Sequence, residues 1–194
     1  MGTLPNALRD ERVATAKRNG IVNADAIATA SVAAAIPFHL ALALVEGESG
    51  GRNIYGHDKG GVFSMPPKAD GAAVYVDVTP ANFVEFLTRV VGGEMSNGVG
   101  PAQITYAGAL RSGHRDGGYF RQMATLGLLP WVPVDNIFFA LSGILRPLLS
   151  KYDGNVKAAG TVYNGGNNPD AAARAYGIAL AKRDEKWRTR FGIA

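Results

Sequence analysis

Two apolar helices are the clearest prediction from the hydrophobic pattern of this chain. Between Ala26 and Val45 no residue is charged, and the run is rich in alanine and leucine. Pro37 interrupts it, and proline is well tolerated in the first turn of a helix because its missing N–H has no partner there. We therefore predict one helix over about 24–35 and a second from Pro37 to Ser49, which ends at Gly50-Gly51, a typical C-terminal signal.

The rest of the pattern predicts a mainly α domain with a small β element and long glycine-rich loops. Residues 50–78 lack a helical period, but the alternating run Val74–Val78 predicts a short strand. Thr79-Pro80 is typical of a helix start, and a second glycine-bearing loop spans Ser96–Pro101. The further predicted helices cover 79–91, 119–127, 134–152, 155–164 and 169–190.

Length and composition limit the class of protein. The chain has 194 residues and a mass of 20.4 kDa, enough for one domain with a sizeable core. We predict an N-terminal arm over residues 1–22 and a single domain over 23–194. The absence of cysteine excludes disulfides, cysteine-ligated metals and a cysteine nucleophile. The uncharged stretch is about as long as a membrane span, but Pro37 and His39 interrupt it, so two buried helices are favoured.

The charge of the chain favours a polyanionic partner. The net charge is +4 and the isoelectric point is about 9.4, which fits nucleic acid, an anionic lipid surface or an acidic cell-wall polymer. Basic residues are scattered apart from Lys182-Arg183 and the Arg188/Arg190 pair, whereas nucleic-acid grooves cluster them with aromatic side chains. We therefore predict no nucleic-acid partner. The histidines show no metal-ligand spacing, so we predict neither a metal nor another cofactor.

Glu48 is the first candidate for chemistry. Helical spacing places Ala41, Leu44, Val45 and Glu48 on one face, so the glutamate continues an apolar stripe at the helix C-terminus. Lost solvation and the negative end of the helix dipole both raise the pKa of such a carboxyl. A carboxyl protonated near neutral pH is what general acid catalysis needs. The helix geometry alone also fits a solvated glutamate, as it does for Glu46 on a more mixed face.

Two later segments add to the pattern around Glu48. The first is Gly98–Thr105, which contains a glycine pair and Gln103-Ile104, and the second is Val162–Gly166, which contains Tyr163-Asn164. Together with Glu48-Ser49, this ordered set resembles the lysozyme-like fold of soluble lytic transglycosylases and goose-type lysozymes. In that superfamily the glutamate is the catalytic acid, the glutamine segment lines the sugar cleft, and the Tyr-Asn pair lies beside the glutamate.

The resemblance implies a role for each matching residue. Glu48 would be the general acid/base, and the Tyr163 hydroxyl would hydrogen-bond to it. The Gln103 amide would offer a donor and an acceptor to an N-acetyl group or a hydroxyl, and glycine would let the backbone approach the sugar rings. The residues expected to bind or shape the substrate are Ser49, Gly100, Gln103, Ile104, Tyr163 and Asn164.

A second carboxylate would decide the reaction type. Retaining and inverting glycosidases use two carboxyl groups, about 5–5.5 Å or about 6.5–9.5 Å apart. The candidates are Asp58, Asp70, Asp77 and Glu94, and residues 55–60 resemble the Gly-Asp-rich loop of goose-type lysozymes, which favours Asp58. Without a second acid, the catalytic glutamate would protonate the glycosidic oxygen and then deprotonate the muramyl 6-hydroxyl, giving a 1,6-anhydro product. Hydrolysis and transglycosylation both stay open.

The chain also departs from the family pattern. Pro101-Ala102 replaces the usual Leu-Met, and Val162 replaces the alanine before Tyr-Asn. The gap between the first two segments is longer than in simple members. We predict that residues 52–97 form an inserted subdomain over one end of the cleft.

The resemblance implies a peptidoglycan-degrading glycosidase. It would cleave the β-1,4 bond between N-acetylmuramic acid and N-acetylglucosamine, act on bacterial peptidoglycan and be a monomer. The first residues show no signal-peptide pattern. We therefore expect a bacteriophage lysin made in the host cytoplasm and acting on the cell wall, or a domain excised from a longer protein. The alternatives are a non-catalytic glycan-binding or structural module with a lysozyme-like shell and, with less support, a small helical nucleic-acid binder.

Overall fold

Helices make up most of the protein, whose computed structural model describes residues 6–64, 74–106 and 117–193. The described helices are α1 (Asn6–Arg18), α2 (Ala24–Ala33), α3 (Phe38–Glu48), α4 (Pro80–Val91), α5 (Gly118–Thr125), α6 (Pro133–Phe139), α7 (Arg146–Lys151), α8 (Val156–Gly165) and α9 (Ala171–Arg190). A π-helical segment, Ala140–Leu145, joins α6 to α7. Strands β1 (Ile54–Tyr55) and β2 (Val76–Asp77) pair antiparallel. The predicted class, mainly α with a small β element, is confirmed.

Helix α3 lies at the centre of the apolar core. Every side chain from Leu40 to Val45 is buried, and a helix that is apolar on all sides must be covered on all sides. Helices α2 and α9 provide part of that cover. The uncharged stretch therefore forms two helices, as predicted. Helix α3 is buried along its middle, whereas α2 keeps an exposed face with Thr29, Val32 and Ala33. Within the described ranges, no helix is both long enough and apolar enough to cross a membrane.

Helices α8 and α9 form a tightly packed hairpin because small residues face each other. A Cβ on Gly177 would lie 2.3 Å from the Lys157 carbonyl oxygen, and a Cβ on Gly160 would lie 3.2 Å from the Gly177 Cα. Glycine at both positions lets the two backbones come close. The buried face of α9 follows a regular spacing of four and three residues: Ala173, Gly177, Leu180, Asp184 and Trp187.

Asn136 of α6 ties this helix to the loop that follows α4. Its side chain is fully buried, and its Nδ2 donates to the carbonyls of Val99 (2.9 Å) and Pro130 (3.2 Å). Its Oδ1 accepts from the Ala102 N–H at 2.9 Å. Gly100 has a positive φ of 76°, and a Cβ there would lie 2.7 Å from the Asn136 Cγ. The glycine therefore makes room for the asparagine.

The predicted helix over 134–152 is helical throughout but changes its hydrogen bonding in the middle. Pro147 in the first turn of α7 has no N–H to donate to the Gly143 carbonyl, as a regular α-helix would require. The preceding turns widen into the π-helical segment. Gly143 and Ile144 of that segment face the cavity described below.

The predicted arm and the predicted insertion both contribute to the core of the domain. Helix α1 lies within the predicted arm. Its residues Val13 and Ala16 are buried in the same apolar core as the other helices. Within the predicted insertion 52–97, Phe83 and Phe86 of α4 belong to the same apolar cluster. The α1 sequence is too polar to predict a helix from its period. The domain boundaries themselves stay a prediction.

We expect Asn136→Ala to lower the free energy of unfolding by about 2–4 kcal/mol, because the buried Ala102 N–H and Pro130 carbonyl lose their partner and the Val99 carbonyl loses one of its two donors. Urea unfolding followed by circular dichroism measures the change. Asn19→Ala is the matched control. The Asn19 side chain is exposed and donates to the Thr15 carbonyl at the C-terminal end of α1. Equal losses for the two variants would contradict the role given to Asn136.

Candidate functional site

A cavity of about 830 Å³ opens beside the C-terminal end of α3. The loop after β1, the segment 98–105, the π-helical segment, α7 and the turn between α8 and α9 form its walls. Three segments that are far apart in the chain therefore meet at one place, as the sequence pattern predicts. The predicted site residues that line the cavity are Glu48, Asp58, Gln103, Ile104, Tyr163 and Asn164.

The Glu48 carboxyl is half-buried at the end of α3 and reaches this cavity. Burial raises its pKa from the ordinary value of 4.5 to about 7. A hydrogen bond from Tyr176 and the charge of Arg183 oppose this rise, and the charge of Asp58 adds to it. Desolvation outweighs the two stabilising groups. Near neutral pH the group is therefore present in both its protonated and its ionised form.

Tyr176, rather than Tyr163, holds the Glu48 side chain. The Tyr176 hydroxyl donates to the Glu48 Oε1. The prediction that Tyr163 donates this hydrogen bond is therefore wrong. Tyr163 is nearby, with its ring stacked on that of Tyr176 at a centroid distance of 6.1 Å. Burial and the Glu48 charge raise the pKa of both hydroxyls well above the usual value. Both tyrosines therefore stay protonated near neutral pH, and Tyr176 donates its hydroxyl hydrogen to Glu48.

Arg183 places a positive charge behind Glu48. Its Nε donates to the Ala43 carbonyl at 2.8 Å, and its guanidinium lies 5.8 Å from the centre of the Tyr176 ring. The Nη2 atom is buried and has no hydrogen-bond partner among the described residues. A Cβ on Gly47 would lie 2.2 Å from that atom. Glycine just before the glutamate therefore provides the space that lets the cation approach.

Asp58 is the candidate second carboxylate that reaches the cavity. Its Oδ2 accepts a 2.7 Å hydrogen bond from the Gly98 N–H, which orients the carboxylate. Its charge acts on Glu48, so the two groups are electrostatically coupled across the site. Glu94 is exposed and pairs with Arg89 at 2.6 Å, outside the cavity. Asp77 lies on β2, beside a different cavity.

A fourth candidate, Asp70, lies outside the described residues, so its position gives no basis for choosing or rejecting it. Of the three predicted candidates that the structure describes, Asp58 is the one that lines the cavity.

Of the donor and the acceptor predicted for the Gln103 amide, only the acceptor is left for a ligand. Its Nε2 donates to the carbonyls of Gly100 (2.8 Å) and Ile54 (3.2 Å), so both amide hydrogens are used within the protein. The Oε1 lies close to Gly56 and Gly98, where an added Cβ would approach it within 2.3 and 2.7 Å. The side chain therefore stiffens the cavity wall and leaves its carbonyl oxygen as an acceptor.

Ser49 and Gly100 do not line the cavity, contrary to the predicted role in substrate binding. The Ser49 hydroxyl is buried, donates to the Pro101 carbonyl at 2.7 Å and accepts from the Gly51 N–H at 3.1 Å. It therefore joins the end of α3 to the glutamine segment. Gly100 faces Asn136 instead of the site. Both residues support the cavity wall from behind.

Glu46 belongs to a separate network on α3. Its carboxylate accepts from the Lys186 Nζ at 2.6 Å and from the Trp187 Nε1 at 2.8 Å. It does not line the cavity. The two glutamates near the end of α3 thus face different surroundings, in agreement with their predicted helical faces.

The important residues that sequence analysis missed all act over a long distance in the chain. Tyr176 and Arg183 lie seven residues apart in α9, so helical spacing puts them on one face. The spacing of α9 could have shown that this face lies beside its buried residues. It could not have shown that the face covers Glu48, because the hairpin geometry decides that.

Neither a metal-ligand cluster among the described residues nor a match to another protein adds to this picture. Within the described ranges, no group of three or more His, Cys, Asp or Glu residues is placed to hold a metal ion. No protein-family model matches the chain, and no curated protein or solved structure matches it either. The geometry of the cavity is therefore the basis for a functional proposal.

We expect Glu48→Gln to change how stability depends on pH. Because the folded-state pKa of Glu48 is raised, its ionisation costs folding free energy as the pH rises from 4.5 to about 7. Relative to the variant, the wild type should lose about 2–3 kcal/mol between about pH 4 and about pH 8. Urea unfolding at several pH values measures this loss. The exposed Glu11→Gln variant is the control, and parallel curves for wild type and Glu48→Gln would contradict the prediction.

We expect Tyr176→Phe and Arg183→Met each to raise the pKa of Glu48 above about 7, because each removes a group that stabilises the ionised form. Carbon-13 NMR of the glutamate carboxyls measures this, with Glu48→Gln used to assign the signal. Lys182→Met is the matched control, since it removes an exposed charge next to Arg183 in the chain. A Glu48 signal that titrates as in wild type in all variants would show that α9 does not control the proton.

Proposed function

We propose that this protein is a glycosidase that cleaves bacterial peptidoglycan, and that its fold is lysozyme-like. The observation that carries the proposal is the Glu48 carboxyl, which lies on the wall of an open cavity with a pKa raised to about 7. A group with this pKa can donate a proton and take one back near neutral pH, as a general acid/base must.

The surroundings of Glu48 suit proton donation to a glycosidic oxygen. When the proton leaves, negative charge develops on the carboxylate. The Tyr176 hydroxyl and the Arg183 guanidinium are already in place to stabilise it. Groups that are positioned before the reaction stabilise a developing charge without the cost of reorganisation. The same pair would then hold the carboxylate ready to remove a proton from the attacking hydroxyl.

The cavity suits a chain of sugars better than a compact ligand. Its volume of about 830 Å³ is near the upper end of the usual range of about 300–1,000 Å³ for ligand sites. Glycines at positions 56, 165 and 166 are partly exposed along its walls, while Ile144 and Leu148 provide apolar surface. Polar backbone and amide groups can bond to hydroxyl and N-acetyl groups, and apolar side chains can contact the faces of the rings.

Asp58 leaves two routes for the second step. As a carboxylate across the site, it could activate water or stabilise the positively charged transition state of a hydrolase. Alternatively, Glu48 could deprotonate the muramyl 6-hydroxyl, which then attacks C1 and forms the anhydro product. Mass spectrometry separates the two routes, because the anhydro product is lighter by one water.

Wild-type protein should release soluble fragments from purified peptidoglycan, and Glu48→Gln should reduce that release by at least about 100-fold, because a missing general acid typically costs 10²–10⁴ in rate. Glu46→Gln is the matched control: it is on the same helix, keeps hydrogen-bonding capacity and lies outside the cavity. Mass spectrometry of the digest identifies the sugar ends.

The outcomes of this digestion decide between the candidate functions. Loss of release in Glu48→Gln with retained binding to peptidoglycan supports the enzyme. Intact glycan strands after digestion by wild type, together with binding, would instead make the protein a non-catalytic glycan-binding module. Equal activity of the two glutamine variants would remove Glu48 from its proposed role.

A further inference from the structure

A second cavity, of about 470 Å³, is lined in part by the β1–β2 hairpin, and Glu48 is not among its lining residues. Its walls come from the hairpin and from the turn between α1 and α2, which contributes Val22 and Asn23. The backbone holds these walls together: the Val22 N–H donates to the Gly50 carbonyl at 3.0 Å, and the Asn23 Nδ2 donates to the Gly51 carbonyl at 2.9 Å. This surface is therefore attached to the loop that follows Glu48.

Tyr75 presents an aromatic ring at the mouth of this cavity. Its side chain is 46% exposed, which is unusual for a large aromatic residue beside a paired strand. The Arg52 guanidinium lies over the ring at 5.2 Å from its centre, and the His57 ring packs against it in an edge contact at 4.9 Å. These contacts hold the ring in one orientation while leaving much of it open to a ligand.

His57 connects the two cavities. It lines the main cavity beside Asp58, and its ring touches Tyr75, which lines the second one. A chain that leaves the main cavity past His57 therefore meets the Tyr75 ring next. The hairpin is firmly held, because the Val78 N–H donates to the Asn53 carbonyl at 2.8 Å.

The polar groups around Tyr75 favour a neutral ligand rich in hydroxyls. Arg52 and Asp77 both line the cavity, and neither forms an ion pair with another described residue. The Asn53 Oδ1 in the same wall is buried and has no hydrogen-bond donor among the described residues. Asp77 disfavours an anion and Arg52 disfavours a cation, whereas a sugar can donate to Asp77, accept from Arg52 and place its C–H face on an aromatic ring.

We propose that Tyr75, Arg52 and Asp77 bind a further sugar ring of the same glycan strand, beyond the His57 end of the main cavity. This inference rests on the proposed glycosidase function, since it assigns the second cavity to the same substrate. Its consequence is a dependence on chain length: only a strand long enough to pass His57 gains from the second cavity.

The test compares short and long glycans on the Glu48→Gln protein, which should bind without cleaving. The probes are N-acetylglucosamine oligomers of about three and about six units, and calorimetry measures both dissociation constants. Adding Tyr75→Ala should weaken binding of the long oligomer about tenfold, the change that about 1.4 kcal/mol corresponds to. Binding of the short oligomer should be unchanged. Tyr75→Phe keeps the ring and should restore most of the affinity for the long oligomer.

Leu126→Ala is the matched control, because Leu126 is an exposed apolar residue at the end of α5, away from both cavities. Equal weakening of both oligomers by Tyr75→Ala would show that the ring only supports the hairpin, and unchanged binding of both would show that it contacts no sugar. Either result overturns the second site while leaving the main one intact. If neither oligomer binds and wild type also leaves peptidoglycan uncut, the proposed function itself fails.

Discussion

The structure depends on the placement of one ionisable carboxyl at the end of a helix whose middle, from Leu40 to Val45, is buried. Water is largely excluded around Glu48, so its charged form is costly, and burial raises its pKa to about 7. Helix α9 limits that cost from one side through the Tyr176 hydroxyl and the Arg183 guanidinium. The balance between desolvation and these two groups keeps the proton transferable near neutral pH.

This balance needs a rigid frame, and much of the frame consists of buried polar groups rather than apolar packing. Asn136 and Ser49 use their side chains to bond backbone groups of the loop over 98–104. Gln103 does the same for the β1 strand. A loop held by several hydrogen bonds keeps its shape although it has no regular secondary structure. The cavity walls can therefore be glycine-rich without losing definition.

Glycines contribute to the site in two ways: some make room for buried side chains, and others line the cavity. At Gly47 the missing side chain admits the Arg183 guanidinium behind the carboxyl, and at Gly100 it admits the Asn136 amide behind the loop. Gly165 and Gly166 instead line the cavity, where their backbone is partly exposed. The glycines of this chain therefore allow both tight internal packing and an open cavity wall.

The sequence by itself determined the helices with strong periods, the burial of α3 and the pairing of Glu48 with two distant segments. The first two features follow from local spacing, because an apolar period states which face of a helix is buried. The grouping of Glu48 with the two distant segments was instead implied by the resemblance to lysozyme-like proteins. Spacing does not state what covers that face. Only the tertiary structure decided that Tyr176 rather than Tyr163 donates to Glu48, and that Ser49 and Gly100 support the wall instead of lining it. Those contacts depend on how α9 and α6 pack, and residues more than 30 positions away in the chain supply them.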